Sequence, residues 1–135
     1  MEKDLIGRLV SLLAPGQISE NFEIVRIEET EKKIIIYFDE KEELVPDVLT
    51  GKDVVLNGYL NPVELQTFPL KDKAVYLLVR RRRWKERGEK EESFSNDYDL
   101  YRKGMKTTNE FGIFLKEELG LSTAEYNKFW ESLTS

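Results

Sequence analysis

The sequence predicts an α+β fold with an amino-terminal helix, an antiparallel sheet of about five strands and a carboxy-terminal helical pair. Three observations lead to this class. Apolar residues recur at helical spacing near the start, the middle of the chain holds several short runs of β-branched and aromatic residues, and two capping patterns lie near the end. A chain of 135 residues is long enough for one hydrophobic core, so we expect residues 1–135 to form a single domain, with helix and sheet over 1–106 and the helical pair over 107–135.

The first element is a predicted amphipathic helix over about residues 2–14. Its apolar side chains follow helical spacing, and Pro15 and Gly16 then end the pattern. Such a helix packs either on the sheet or on a second copy of itself.

Five segments carry the composition of β-strands. Residues 22–28 and 33–39 are joined by a short polar stretch and are predicted to form an antiparallel hairpin. Residues 40–43 form an acidic run that we interpret as a solvated loop. Residues 54–59 and 63–68 predict the third and fourth strands, and the fifth covers about residues 73–84.

The fifth strand passes without interruption from an apolar run into four arginines and a tryptophan. Alternation places Val75, Leu77 and Val79 on one face and Tyr76 and Leu78 on the other, and two arginines continue each row. A charged loop follows, and a returning strand through residues 94–100 is predicted to pair with the arginine strand.

Two helices are predicted at the end of the chain. Residues 107–110 and 122–125 are capping boxes, and Gly120 ends the first helix. The pair resembles a helix-turn-helix in outline, but the second helix offers only Asn127 and Lys128 as donors against two glutamates. A packing or protein-contact role is therefore favoured over reading of the major groove.

Composition removes most enzyme chemistry from this chain. It contains no cysteine and no histidine, so thiolate nucleophiles, thiolate zinc sites and the usual acid-base side chain are excluded. Asp97 and Asp99 alternate along the chain, which is more typical of solvent-facing charges than of a metal site. We therefore expect no enzyme activity, metal or cofactor. The absence of a long apolar run or a signal-peptide pattern predicts a cytoplasmic protein without a membrane partner.

Positive charge is concentrated in one central segment. The net charge is -5, but residues 71–106 hold 12 Lys and Arg against 7 Asp and Glu, whereas the flanking segments are acidic. One interpretation is that the basic strip pairs with the acidic flanks inside the fold. The other is an anion-binding face.

Arginine supplies planar, permanently charged donors that match phosphate oxygens, and an adjacent tryptophan can stack on a base or pack beside the patch. The sequence therefore predicts a nucleic-acid-binding surface at the end of the fifth strand. Its residues are Arg80, Arg81, Arg82, Arg83, Trp84, Lys85, Arg102, Lys103 and Lys106.

Residues 68–84, which contain this arginine strand, are similar to the amino-terminal region of bacterial insertion-sequence transposases. The similarity continues through residues 97–111 and 114–117, and residues 1–9 resemble short reading frames that accompany such mobile elements. Related amino termini often place a cysteine zinc module before the arginine strand, and this chain has no cysteine. The acidic catalytic triad of such enzymes matches no position here.

The resemblance implies a non-catalytic, DNA-binding accessory region of a transposase that acts in transposition on double-stranded DNA. A protein-interaction module remains as the alternative, in which the basic strand binds an acidic partner or the catalytic transposase subunit.

Overall fold

The structure is a computed structural model that describes residues 14–100 and 107–134. The predicted helix over residues 2–14 therefore lies almost wholly outside the described residues. The first described helix is a different one, which begins directly after Pro15.

The described chain is α+β, as predicted. Its elements in chain order are α1 (Gly16–Asn21), β1 (Phe22–Glu29), β2 (Lys33–Glu40), a 3-10 turn (Asp47–Leu49), β3 (Val54–Tyr59), β4 (Val63–Leu70), β5 (Lys73–Arg80), β6 (Arg82–Glu86), α2 (Asn109–Phe114), a π-helical turn (Leu115–Leu119) and α3 (Thr123–Thr134). No described helix has both the length and the apolar character needed to cross a bilayer.

The strands form a four-stranded sheet in the order β1-β2-β5-β4 and a separate two-stranded ribbon of β3 and β6. The β1–β2 hairpin is antiparallel, as predicted, and so is the β4–β5 pair. The prediction of one antiparallel sheet is wrong at the centre, because β2 and β5 run parallel. A crossover of about thirty residues that contains β3 and β4 separates these two strands, and such a connection permits parallel pairing.

The predicted fifth strand is in fact two strands. β5 ends at Arg80, and after Arg81 the chain continues as β6 in the other sheet. The arginine run is therefore the place where the chain leaves the main sheet and enters the ribbon. The arginine run is consequently not the solvent-exposed end of a single strand.

The predicted returning strand through residues 94–100 is absent from the described chain. Only Phe94 pairs with the arginine region, through a single antiparallel bridge to Trp84. Farther along this segment, Asn96 and Tyr98 bond to Glu40 of β2, Asp97 pairs with Arg81, and Leu100 packs in the core.

One face of the main sheet carries the core. Phe38 of β2, Leu65 of β4 and Leu77 of β5 are almost completely buried beneath Ile18 of α1 and Leu100. Phe22 packs edge-on against Tyr98 at a centroid distance of 5.0 Å. The opposite face of the sheet, which we call the outer face, carries half-buried side chains from β2 and β5, namely Ile35, Tyr37, Tyr76 and Leu78.

The carboxy-terminal helices form a second small core. Phe111, Leu115 and Tyr126 are buried together, and the pair is joined to the sheet by a hydrogen bond from Gln66 to Asn127 at 2.8 Å. The capping box of Ser122 and Glu125 is confirmed by reciprocal bonds of 3.1 Å. Gly120 ends the π-helical turn in the left-handed conformation. The N-cap of α2 is Thr108, one residue later than predicted.

Candidate nucleic-acid interface

The arginines of the run do not lie together on one surface, and each has its own partners. Arg80 at the end of β5 lies opposite Asp39 of the parallel strand β2. Its Nε and Nη2 donate to the two carboxylate oxygens at 2.8 and 2.6 Å, and its guanidinium stacks 3.6 Å above the ring of Tyr59. The hydrogen bond to Asp39 raises the pKa of Arg80, and the charge of Arg80 is matched within the fold.

Arg81 lies between the two sheets. Its Nη1 donates to the carbonyl oxygen of Asn96 at 2.9 Å and to the carboxylate of Asp97 at 3.0 Å. The Asp97 side chain is 97% exposed, so water screens this ion pair and its contribution to stability is small. The arginine fixes the path of the chain after Phe94 and adds little net charge to the surface.

Arg82 begins β6 and is held by Glu40 in two ways. Its main-chain N–H donates to the Glu40 carboxylate at 2.9 Å, and its Nε donates to the Glu40 carbonyl oxygen at 2.8 Å. Its guanidinium also lies 5.5 Å from the centre of the Tyr59 ring. Two successive even-numbered arginines therefore share one tyrosine.

Glu40 is completely buried, which corrects the interpretation of residues 40–43 as a solvated loop. Its carboxylate accepts hydrogen bonds from the side chains of Asn96 and Tyr98 in addition to the Arg82 main chain. Burial, together with the bond to Glu40, raises the pKa of Tyr98 well above its ordinary value of 10.0. A buried carboxylate with three donors is satisfied, so Glu40 joins β2, β6 and the segment after Phe94.

Among the described residues, Arg83 is held by a hydrogen bond to the main chain. Its Nε donates to the carbonyl oxygen of Asn57 at 2.8 Å, across the bulge where β3 passes Gly58 at a φ of +80°. A Cβ atom at Gly58 would lie 3.4 Å from Nη2 of Arg83. Glycine therefore allows the guanidinium to lie against the β3 backbone.

Trp84 and Lys85 lie on opposite faces of β6. Trp84 is 7% exposed and exchanges two backbone hydrogen bonds with Phe94. Its indole Nε1 has no hydrogen-bond partner among the described residues. Trp84 is thus on the buried face of β6. Lys85 lies on the opposite face with Arg83, beside Val55 of β3.

Three basic residues of β6 have no carboxylate within ion-pair distance in the described part of the chain. They are Arg82, Arg83 and Lys85. Arg80 and Arg81 both have one. The unmatched positive charge is therefore on the ribbon and not on β5.

The remaining predicted site residues, Arg102, Lys103 and Lys106, lie outside the described residues. In residues 14–100 and 107–134 no cluster of three carboxylates could hold a metal ion.

Several residues that organise this region were not among the predicted site residues. Asp39, Glu40, Asn57 and Tyr59 each bind an arginine of the run, and they come from β2 and β3. The available signal was the pair of acids that ends the apolar strand β2. To use that signal, the parallel pairing of β2 with β5 has to be known, because this pairing sets Asp39 opposite Arg80.

The outer face of the main sheet carries a groove of about 500 Å³ beside the arginines. Tyr37 and Leu78 line it, with Arg26 and Arg80 among the other lining residues. Arg26 stacks 4.1 Å above the Tyr37 ring and lies 3.3 Å from Glu28. Both arginines of this groove are thus paired with acids, which leaves the groove nearly neutral.

Comparison of the chain with protein-family models, with curated proteins and with solved structures found no match.

Proposed function

We propose that this protein is a non-catalytic DNA-binding accessory region of an insertion-sequence transposase, which contacts duplex phosphates through the ribbon of β3 and β6. The observation that carries the proposal is the unmatched positive charge of β6. Arg83 and Lys85 lie on one face of β6 and Arg82 lies on the other, and in the described residues no carboxylate forms an ion pair with any of the three. An otherwise acidic protein thereby presents a local patch for an anion.

The arginines of β6 are positioned before any ligand binds. Arg82 and Arg83 each use Nε for a main-chain carbonyl oxygen, at 2.8 Å in both cases, and Nη1 of Arg82 also donates to the Tyr59 hydroxyl at 3.4 Å. In the described residues the terminal amino groups of Arg83 are left for a second acceptor, and a guanidinium anchored through Nε loses less rotational freedom on binding. Phosphate oxygens are acceptors of suitable charge and geometry.

The shape of the patch also suits duplex DNA. The major groove of B-form DNA accommodates a two-stranded β-ribbon, and Arg83 and Lys85 lie on the ribbon face opposite the buried Trp84. Adjacent phosphates along a strand and side chains at alternate positions of a β-strand have a similar spacing, about 6 to 7 Å. The resemblance to transposase amino termini supplies the biological context.

The proposal is tested with an Arg83→Ala, Lys85→Ala double variant and a short duplex in fluorescence anisotropy at several salt concentrations. Loss of two phosphate contacts is expected to lower affinity by about tenfold or more and to reduce the slope of log affinity against log salt by about two. Both side chains are partly exposed and neither is in an ion pair of the described residues, so the variant is expected to keep the circular dichroism spectrum of the parent.

A Lys32→Ala, Lys33→Ala variant is the charge-matched control. Lys33 begins β2 and Lys32 directly precedes it, at the opposite end of that strand from Glu40 and the ribbon. The variant is therefore expected to leave both the affinity and the salt slope unchanged. If the ribbon variant bound the duplex as tightly as the parent, with the same salt slope, DNA binding by this ribbon would be ruled out.

A second candidate function, contact with a partner protein such as the catalytic transposase subunit, is favoured by exposed apolar side chains on β4, α2 and the π-helical turn. Its members are Phe68, Leu70, Ile113, Phe114 and Leu119. Phe68 and Phe114 lie in contact at a centroid distance of 5.4 Å. Salt-insensitive binding to the catalytic subunit, without any duplex binding, would support this function over the first.

A further inference from the structure

We propose that β1 is a self-pairing edge, through which two copies of this chain associate as a symmetric dimer with β1 antiparallel to β1. In this arrangement a twofold axis passes beside Ile27, and the two four-stranded sheets become continuous. The inference concerns β1, which pairs with neither strand of the ribbon, and it does not depend on DNA binding.

The two edges of the main sheet differ. The outer edge of β4 is partly covered, because Thr108 donates its main-chain N–H to the Gln66 carbonyl oxygen at 2.9 Å. β1 pairs only with β2 in the described part of the chain. Its outer edge therefore presents main-chain donors and acceptors to a further strand.

The side chains of this edge are unusual for an exposed strand. Val25 and Ile27 are 52% and 60% exposed, although edge strands of monomeric proteins commonly carry charges at such positions. Val25 occupies a bulge between the residues that pair with Phe38 and Tyr37. The regular part of the strand thus begins at Arg26, and Ile27 lies near its centre.

The charges of β1 are self-complementary about Ile27. Antiparallel pairing centred there sets Ile27 opposite Ile27 of the second copy, Arg26 opposite Glu28, and Glu28 opposite Arg26. Arg26 and Glu28 lie 3.3 Å apart on one face of the strand, so the four charged side chains would form one alternating cluster. A register centred on Arg26 would set Arg26 directly opposite Arg26 of the second copy, and one centred on Glu28 would set Glu28 opposite Glu28, which favours the register centred on Ile27.

The charge cluster is tested by sedimentation velocity on three proteins: the parent chain, Arg26→Glu and the double variant Arg26→Glu, Glu28→Arg. The parent is expected to form a concentration-dependent dimer. The single variant sets like charges opposite each other twice and is expected to dimerise about tenfold more weakly or worse, whereas the double variant restores two opposite-charge pairs and with them the parent's affinity. The double variant also controls for damage to the monomer.

The register is tested by disulfide formation, because the chain contains no cysteine that could interfere. Ile27→Cys is expected to give a covalent dimer rapidly under mild oxidation, since opposed residues in antiparallel strands have Cβ atoms about 4.5 to 5.5 Å apart. Val48→Cys, at an exposed position in the 3-10 turn, is the matched control and is expected to give no disulfide-linked dimer.

Three results would overturn the inference. They are a parent chain that stays monomeric at the highest accessible concentration, a dimer unaffected by Arg26→Glu, and faster cross-linking of the Val48→Cys control than of Ile27→Cys. Each measurement is made without nucleic acid, so failure of the dimer and failure of the DNA-binding proposal are seen separately.

Discussion

At the scale of single residues, the arginine run is stabilised by acceptors from the acidic half of the chain. Asp39 and Glu40 end β2 and bind Arg80 and Arg82, whose positions at the end of β5 and the start of β6 bring them to the same place. Burial of Glu40 is tolerated because three donors surround its carboxylate. The acidic flanks are therefore structural partners of the basic run, at least for these two arginines.

The Glu40 cluster makes a prediction about Tyr98. Burial and the bond to Glu40 raise the pKa of this phenol, so its phenolate is expected to form in the folded protein only well above pH 10. The chain has six tyrosines, and alkaline titration of phenolate absorbance should show a late-titrating class that loses one member in Tyr98→Phe. Because the folded-state pKa is raised, the contribution of Tyr98 to stability is complete below about pH 10 and is lost as pH rises further.

The same titration in denaturant supplies the reference, since all six phenols then ionise near pH 10. A Tyr98→Phe variant with an unchanged late class would mean that the phenol is not held by Glu40.

Residue roles at this junction were only partly predictable from the sequence. The concentration of charge at residues 80–83 was apparent, and so was the possibility that acidic flanks neutralise it. The sequence did not show which acids pair with the arginines, because Asp39 and Glu40 are more than forty residues from them along the chain. These residues become neighbours only through the parallel pairing of β2 and β5. Periodicity within a strand carries no information about such a partner.

At the scale of elements, local patterns predicted well where the structure is local. The β1–β2 hairpin, the strands β3 and β4, the second capping box and the stop at Gly120 follow from residues that are close in sequence. The division of the fifth strand at Arg81 was missed, since the apolar and basic residues on both sides have strand propensity and only tertiary pairing separates them. The prediction of a returning strand over residues 94–100 was wrong for the same reason, since strand propensity does not determine which segments pair.

The bulge of β3 makes the second prediction. Gly58 has a φ of +80°, and an added Cβ would lie 3.4 Å from the Arg83 guanidinium. Gly58→Ala is therefore expected to lower the free energy of unfolding in urea by about 1 to 2 kcal/mol, which is the cost of the left-handed conformation for a residue with a side chain.

Gly16→Ala is the matched control for this substitution. Gly16 begins α1 without a positive φ, and nothing lies within 4 Å of an added Cβ. The same chemical change there is expected to be neutral or to stabilise the protein by about 0.5 kcal/mol, because alanine restricts the unfolded chain. If both variants had equal effects, the bulge at Gly58 would impose no special requirement.

At the scale of the whole molecule, the described chain passes between the two sheets three times, and a buried cluster also joins them. The shortest passage is the single residue Arg81 between β5 and β6, and the cluster is Glu40 with Arg82, Asn96 and Tyr98. A ribbon of two strands is marginal by itself in water, so β3 and β6 depend on this attachment and on Trp84. The proposed phosphate contacts lie on the ribbon, and their positions therefore depend on the same cluster.

Removal of the Glu40 carboxylate tests this dependence. Glu40→Ala leaves three donors without their acceptor in a buried site, so we expect the free energy of unfolding to fall by about 3 to 5 kcal/mol. Amide hydrogen exchange should accelerate more in β3 and β6 than in β1 and β4, because the ribbon loses its main attachment while the core face of the large sheet keeps its apolar contacts. Glu42→Ala, at an exposed position two residues later, should change stability by less than about 0.5 kcal/mol. If protection against exchange were instead lost evenly over both sheets, the ribbon and the main sheet would unfold as one unit. Their attachment to each other would then not depend on Glu40.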